Sequence, residues 1–220
     1  METTQVAPTT TLTLVRHGQT HLNALRLLQG SCDSPLTPAG SAGIRVTGQH
    51  LATSTFHAAY TSPQGRAVTT AEELVSHHPG LTARRESDLR EFTFGKYERC
   101  PEHELDAVQP WSELITEVLR GTHPGLPGGE SGADFMGRVK AVFDRILRDH
   151  EGQQVLVVGH GLTLGAYLAL IDPVGLVALP NASVSTVEVR DGSATIVSVG
   201  VDVAGHGNVA ARPAAAPVPA

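Results

Sequence analysis

Short apolar runs alternate along the chain with stretches in which apolar residues recur every three or four positions, and this switching of period predicts strands alternating with helices. Leu12 to Arg16 reads as the first strand and Phe56 to Tyr60 as the second. Leu81 to Arg84 is a weaker strand, whereas Gln154 to Val158 is a continuous apolar run of the kind a central parallel strand needs when both its faces are buried. The segments between carry helical spacing. Ile44, Gly48, Leu51 and Ala52 follow Thr37-Pro38, a capping residue with proline at the first helical position. Ala67, Thr70, Ala71, Leu74 and Val75 follow Ser62-Pro63, which repeats that start. Trp111, Leu114, Ile115, Val118 and Leu119 mark a helix in the middle of the chain, and Ser131 with Asp134 forms a capping-box start for Phe135, Val139, Val142, Phe143 and Ile146. A further helix is expected from about Leu162 to Leu170, and Val184 to Arg190 and Ser193 to Val199 flank Asp191-Gly192, a tight-hairpin signal. The order predicts an α/β protein: a three-layer α/β/α sandwich with a mostly parallel central sheet and an antiparallel edge strand.

No repeat and no linker interrupts residues 12–201, so residues 1–204 are expected to form one domain. The Ala/Pro-rich stretch 205–220 has almost nothing to bury and is expected to be a flexible tail. Charge narrows the class of partner. Sixteen Lys and Arg against 22 Asp and Glu, a net charge of −6, supply no basic face for nucleic acid. Any phosphate site must therefore be a local concentration of bases in a mildly acidic protein. Cys32 and Cys100, the two cysteines, can build neither a disulfide framework nor a four-thiolate zinc site, and a reducing cytoplasm is the expected compartment. Residues 1–11 place an acid before any base and hold no apolar stretch of signal length, and no later run is long enough to cross a bilayer.

Candidate chemistry begins where the first strand should stop. Arg16-His17-Gly18 puts a base and a cation at a strand end, and such ends point into the crevice where open α/β sheets bind ligands. A histidine there can attack phosphorus, while a neighbouring arginine offers fixed donors to phosphoryl oxygens. Gly159-His160-Gly161 repeats the placement at the end of the most buried strand. Arg66 falls in the first turn of a helix that follows a strand, where free amides and the helix dipole already favour an anion.

The extended run Arg16-His17-Gly18-Gln19-Thr20, then Asn23, Gln29-Gly30 and Asp33-Ser34-Pro35-Leu36-Thr37, resembles the histidine phosphatase superfamily, also called the phosphoglycerate mutase-like family. Thr61-Ser62-Pro63-Gln64-Gly65-Arg66-Ala67 looks like that family's second signature, and Gly159-His160-Gly161 matches its second histidine. The run Leu89-Arg90-Glu91-Phe92-Thr93-Phe94-Gly95-Lys96-Tyr97-Glu98 resembles the element that carries its acid. Here the chain departs from the pattern, because Tyr97-Glu98-Arg99 stands where an aromatic, Glu and Gly are commoner. Pro127-Gly128-Gly129-Glu130-Ser131 is a further familiar run, read either as a pocket-mouth loop or as a plain helix lead-in.

The resemblance implies a phosphomonoesterase that works through a phosphohistidine. His17 attacks in line, Arg16, Arg66 and His160 neutralise the equatorial oxygens, and Glu91 protonates the leaving oxygen before activating water. Asn23, Gln29, Gly30 and the amides of Gly161 and Leu162 contact the substrate. The rings of Phe92 and Phe94 are expected to desolvate Glu91 and raise its pKa. No metal and no cofactor is required, the partner is a small phosphorylated metabolite, and a homodimer is compatible with the sequence. A cofactor-dependent phosphoglycerate mutase is the enzymatic alternative, though the segment after Glu91 looks like the phosphatase branch. A catalytically inactive, phosphate-binding regulatory module is the alternative of a different class. Residues 100–130, poor in Lys and Arg, are expected to cover the pocket, which favours a small monoester, a sugar phosphate or a nucleotide-like phosphate over a polyphosphate.

Overall fold

In the computed structural model, which describes residues 8–173 and 178–205, six strands form one sheet: β1 (Thr10–Arg16), β2 (Ala58–Thr61), β3 (Ala83–Arg85), β4 (Gln154–Gly159), β5 (Val184–Arg190) and β6 (Ser193–Val201). Their order is β3-β2-β4-β1-β5-β6. The first four in that order are mutually parallel, β5 runs antiparallel to β1, and β6 runs antiparallel to β5, so the expected hairpin forms the antiparallel edge. Its turn holds Asp191 at φ 52° and Gly192 at φ 74°, the left-handed pair that a two-residue connection with the right twist demands. The amino-terminal residues 1–7 and nearly all of the Ala/Pro-rich tail lie outside the described residues.

Among the described residues seven α-helices accompany the sheet: α1 (His21–Ala24), α2 (Pro38–Leu51), α3 (Gly65–Val75), α4 (Glu102–Asp106), α5 (Trp111–Leu119), α6 (Gly132–Asp149) and α7 (Gly161–Ile171). Strand β4 shows why its sequence reads as unbroken apolar. Val155 and Val157 enter a core with Phe135, Val139 and Phe143 of α6 and Leu164 of α7. Leu156 and Val158 point the other way, into a second core with Leu51 of α2 and Ala67, Ala71 and Leu74 of α3. Burial of both faces makes three layers, and it removes the period-two alternation of a one-sided strand.

Several boundaries differ from expectation. The second strand starts at Ala58 and ends at Thr61, with Phe56 packed against the second core just before it, and the third runs from Ala83 to Arg85. Helices α1 and α4, of four and five residues, are too short to show a period. Ser62-Pro63 does not start α3. Gln64 is the N-cap, with no side-chain cap bond, and the Ser62 hydroxyl is engaged elsewhere. Ser131 does cap α6 by accepting from the Asp134 amide (3.1 Å), but the Asp134 carboxylate accepts from the Ser131 hydroxyl (2.7 Å) instead of returning to the N-cap amide.

The register of the parallel strands sets the site. Arg16 pairs with Gly159 and Thr61 with Val158, so His17, Ser62 and His160 all leave the sheet at the same edge. The next hydrogen bonds continue that register: the His17 amide donates to Gly159 O (3.0 Å) and the Ser62 amide to Val158 O (3.0 Å). Gly18 then lets the turn press onto α2, where an added Cβ would stand 2.7 Å from Ile44 Cγ2 and 2.9 Å from Gly40 O. The Gly18 amide donates to Thr70 Oγ1 (3.1 Å), which itself donates to Arg66 O (2.7 Å), tying the turn to α3.

Arg99, the departure from the family's pattern, takes a left-handed backbone at φ 66°, which explains why glycine is commoner there. A non-glycine residue in that region costs about 1 kcal/mol. Its exposed guanidinium donates only to Asp33 O (3.2 Å). Arg99→Gly is expected to stabilise the protein by about 1 kcal/mol, read as a rise of roughly 2–4 °C in Tm; an unchanged or lower Tm would mean that the Asp33 contact outweighs the relieved backbone.

Candidate active site

His17 is 3 % exposed, with its Nδ1 2.8 Å from the carbonyl of Gly18. A carbonyl can only accept, so Nδ1 carries the proton of the neutral ring and Nε2 keeps its lone pair. Burial, followed by the nearby charges of Arg66 and Arg16, holds the imidazole well below its ordinary pKa, which preserves that neutral form. The ring of His160 lies 5.1 Å from that of His17, centroid to centroid. His160 is fully buried as the N-cap residue of α7, and burial, Arg66, His17 and Arg16 push it in the same direction. Both rings are thus held toward the neutral form, and Arg16 and Arg66 are the permanent cations that act on both of them.

The arginines approach the histidines differently than expected. Arg66, 2 % exposed, already uses both terminal nitrogens: Nη1 donates to Cys32 O (2.8 Å) and Asp33 Oδ1 (3.1 Å), and Nη2 to Gly30 O (2.9 Å) and Gln29 O (3.5 Å). The two-pronged end of its guanidinium faces the 29–33 loop, and its Nε is the donor left over. Arg16 directs Nη1 to the carbonyl of Leu179. Among the described residues, the buried atoms without a hydrogen-bond partner include Arg16 Nε, Arg66 Nε and His160 Nδ1. Buried polar groups are almost always satisfied, so three orphans in one charged cluster call for a ligand, one that accepts from both arginines and, when Nδ1 carries the proton, from His160.

Glu91, 7 % exposed, does not sit in an aromatic frame. The rings of Phe92 and Phe94 pack with each other, and Phe92 packs edge-on against Phe135 in the core. The carboxylate instead meets the start of α7. Its Oε1 accepts from the amides of Phe92 and Thr163 (3.0 Å each) and lies 3.0 Å from Thr163 Oγ1, while Oε2 accepts from the Leu162 amide (3.0 Å). The Leu162 amide, expected to face phosphoryl oxygens, is thus occupied by Glu91. Oε2, with one donor, is the less satisfied oxygen. The backbone of this segment is fastened by Arg138, which donates to the carbonyls of Asp88 (2.8 Å), Arg90 (2.7 Å) and Glu91 (3.1 Å) and is paired with Glu130 at 2.7 Å. Glu130 also accepts from the Thr93 amide (3.0 Å). The Pro127–Ser131 run therefore braces the acid's segment, and it is absent from the wall of the main cavity.

That cavity has a volume of about 630 Å³, and Arg16, Asn23, Gln29, Glu91, Gly161 and Leu162 line it among others. Asn23 completes a capping box with Thr20, and its Oδ1 accepts from Asn181 Nδ2 (3.3 Å), which also donates to His17 O (3.1 Å). The Gln29 side chain accepts from Thr20 Oγ1 (2.6 Å). Gly30 lies outside the cavity wall, as do His17, Arg66 and His160. Its amide donates to Glu98 Oε2 (3.1 Å), and its carbonyl holds Arg66 and Gln64, so Gly30 orients an arginine of the cluster. Glu98 gathers the amides of Gly30, Ser31, Cys32 and Phe94; burial alone would raise its pKa, but the Cys32 thiol and these amides together hold it below the ordinary carboxylate value. Segments α4 and α5, within the expected pocket cover, do line the cavity. Among the described residues no group of three or more His, Cys, Asp or Glu is arranged to hold a metal ion, and no helix is long and apolar enough to cross a membrane.

Three contributors escape a reading of the sequence. Ser62 resembles a helix cap, yet its Oγ lies 2.7 Å from His160 Nε2. Thr163 is an unremarked polar residue in an apolar helix, and Arg138 is legible only as a charge beside Phe135 and Val139 on the buried stripe of α6. If Ser62 donates to Nε2, His160 must carry its proton on Nδ1, the orphan atom. Ser62→Ala removes that control and is expected to lower kcat/KM for phosphate release by roughly tenfold, the worth of one buried hydrogen bond, and to lower Tm by a few degrees because His160 Nε2 is left buried without its partner. Steady-state kinetics beside a thermal melt would check this; wild-type kcat/KM would separate Ser62 from the tautomer of His160.

Comparison with known proteins matches residues 12–202 to the model of the histidine phosphatase superfamily, branch 1. A Yersinia enterocolitica protein named "Probable phosphoglycerate mutase GpmB" is 33 % identical over 187 residues, covering 81 % of this chain and 84 % of that one. A Hydrogenobacter thermophilus protein named "Putative phosphoserine phosphatase 2" is 31 % identical over 193 residues, covering 84 % and 93 %. Among solved structures, Bacillus stearothermophilus YhfR superposes with a TM-score of 0.75 at 29 % identity, covering 87 % of this chain and 97 % of that one.

Proposed function

Because the chain belongs to branch 1 of the histidine phosphatase superfamily, we propose that it hydrolyses a small phosphomonoester through a phosphohistidine on His17. The observation that carries this reading is the set of buried, unpartnered nitrogens, Arg16 Nε, Arg66 Nε and His160 Nδ1, beside a histidine whose Nε2 keeps its lone pair; with its proton on Nδ1, His160 becomes the third donor. Three donors on three elements suit the three equatorial oxygens of a phosphoryl group, and their preorganisation removes the cost of reorienting them as charge develops. His17 Nε2 attacks phosphorus as the ester oxygen leaves. Glu91 Oε2 supplies the proton to that oxygen and then takes one from the water that attacks the phosphohistidine, which restores His17 and releases phosphate. Asn181 and Asn23 hold the His17 backbone, and Arg138 with Glu130 holds the segment that carries Glu91.

Mutase chemistry uses the same core, and the Yersinia relative's name favours keeping it as the second reading. The two part at the second half-reaction, where a mutase returns the phosphoryl group to the organic molecule instead of to water. Incubation with an aryl phosphate at mildly acidic pH is expected to release phosphate. Supplied 3-phosphoglycerate should yield no 2-phosphoglycerate; its appearance without free phosphate would establish the mutase. Tight phosphate binding with no release from any ester would mark a binding module.

A further inference from the structure

Resting on the phosphatase reading above, we propose that the alcohol half of the substrate is an apolar, ring-bearing group without a carboxylate or second phosphate, selected by Phe94 and Trp111 and by the acids Glu102 and Asp106. The cavity of about 630 Å³ shares Arg16 and Glu91 with the phosphoryl site, whose His17, Arg66 and His160 lie outside its wall, so its volume is left for the rest of the substrate, a size that elsewhere holds ligands of some tens of atoms. One part of the remaining wall is apolar. Phe94, Trp111, Ile115, Leu119 and Leu162 contribute to it, and the rings of Phe94 and Trp111 stack at 5.9 Å with an interplanar angle of 27°. Phe94 is buried, whereas Trp111, the first residue of α5, remains 39 % exposed, an unusual amount for an indole. A flat apolar group laid in this cavity would remove that surface from water and add a further layer to an existing stack.

The charges on the same wall discriminate against anions. Apart from Arg16, the one Lys or Arg among the described lining residues is Arg26, and its guanidinium is already paired with Glu102 at 3.1 Å. Asp106 adds a second carboxylate, held in place by the Trp111 amide (2.7 Å). His103 is the remaining ionisable side chain there besides Glu91. A carboxylate on the ligand would have to share Arg26 with Glu102 and lie beside Asp106, so rejection is built from repulsion as well as from the partly neutralised cation. An uncharged or cationic alcohol meets no such opposition.

The test compares 1-naphthyl phosphate with 3-phosphoglycerate, following inorganic phosphate. Wild-type kcat/KM is expected to favour the naphthyl ester by roughly 100-fold or more. Trp111→Ala should narrow that ratio by about tenfold, through a higher KM for the naphthyl ester with kcat retained. Glu102→Gln, at a partly exposed position, should narrow it from the other side by freeing Arg26, raising kcat/KM for 3-phosphoglycerate several-fold. The second variant keeps the test alive if the first fails to fold. Equal or better hydrolysis of 3-phosphoglycerate by the wild type, or equal losses on both esters in Trp111→Ala, would overturn this assignment and leave the phosphatase intact. No phosphate from any ester would remove both.

Discussion

Replacing His17 with Ala is expected to abolish turnover, with a loss on the order of 10⁴- to 10⁶-fold in kcat, and with it the acid-labile phosphate that the proposed phosphohistidine predicts for the wild-type protein. No other described group duplicates its position: His160 is the nearest imidazole, but its Nε2 is engaged by Ser62 and its Nδ1 stands among the donors. The variant keeps those donors, so phosphate should still bind, and equilibrium binding separates loss of the nucleophile from loss of the fold. The wild-type pH profile carries a second signature. His17 must be neutral to attack, and burial together with Arg66 and Arg16 holds it well below the ordinary 6.5. Lowering the pKa of a required base extends activity toward acid, so kcat/KM should persist below pH 6.5 and decline only at lower pH. A decline centred on 6.5 would mean that the nucleophile titrates as an exposed imidazole. Activity retained in His17→Ala would dismiss the phosphohistidine altogether.

What the sequence shows of this site divides by the range of the interactions involved. Apolar runs reveal β1 and β4, because burial on one or both faces leaves a mark at every residue, and strand ends followed by glycine place His17 and His160. Their separation of 5.1 Å then follows from a register that no local pattern encodes. Ser62-Pro63 misleads for a related reason: serine before proline is favourable for a cap, but a stronger claim on the hydroxyl comes from a histidine 98 positions away. The surroundings of Glu91 are not legible because adjacency in sequence does not imply contact. Phe92 and Phe94 turn into the core, and the carboxylate's partners, Leu162 and Thr163, come from the far end of the chain. Arg66 shows the same limit, since a helical arginine near an anion site is legible while the four acceptors that fix its terminal nitrogens are not.

Glu91→Gln tests the acid separately from the nucleophile, because its effect should depend on the leaving group. For an alkyl ester the departing alkoxide needs a proton, and removing the donor is expected to slow release by about 10²- to 10⁴-fold. A nitrophenolate leaves without help, so phosphorylation of His17 by p-nitrophenyl phosphate should proceed nearly as in the wild type. The second half-reaction then fails, since water attacking the phosphohistidine has lost its base, and the phosphoenzyme accumulates. A burst of nitrophenol approaching one equivalent per site, followed by slow turnover, is the expected trace. Gln keeps the shape but places an amide NH₂ against one of the donors from Phe92, Leu162 and Thr163, at a cost of about 1–3 kcal/mol in stability, so the measurement belongs at a temperature well below the variant's Tm. Equal slowing of both esters without a burst would show that Glu91 only anchors α7, and the proton donor would have to be sought among the other groups that line the cavity.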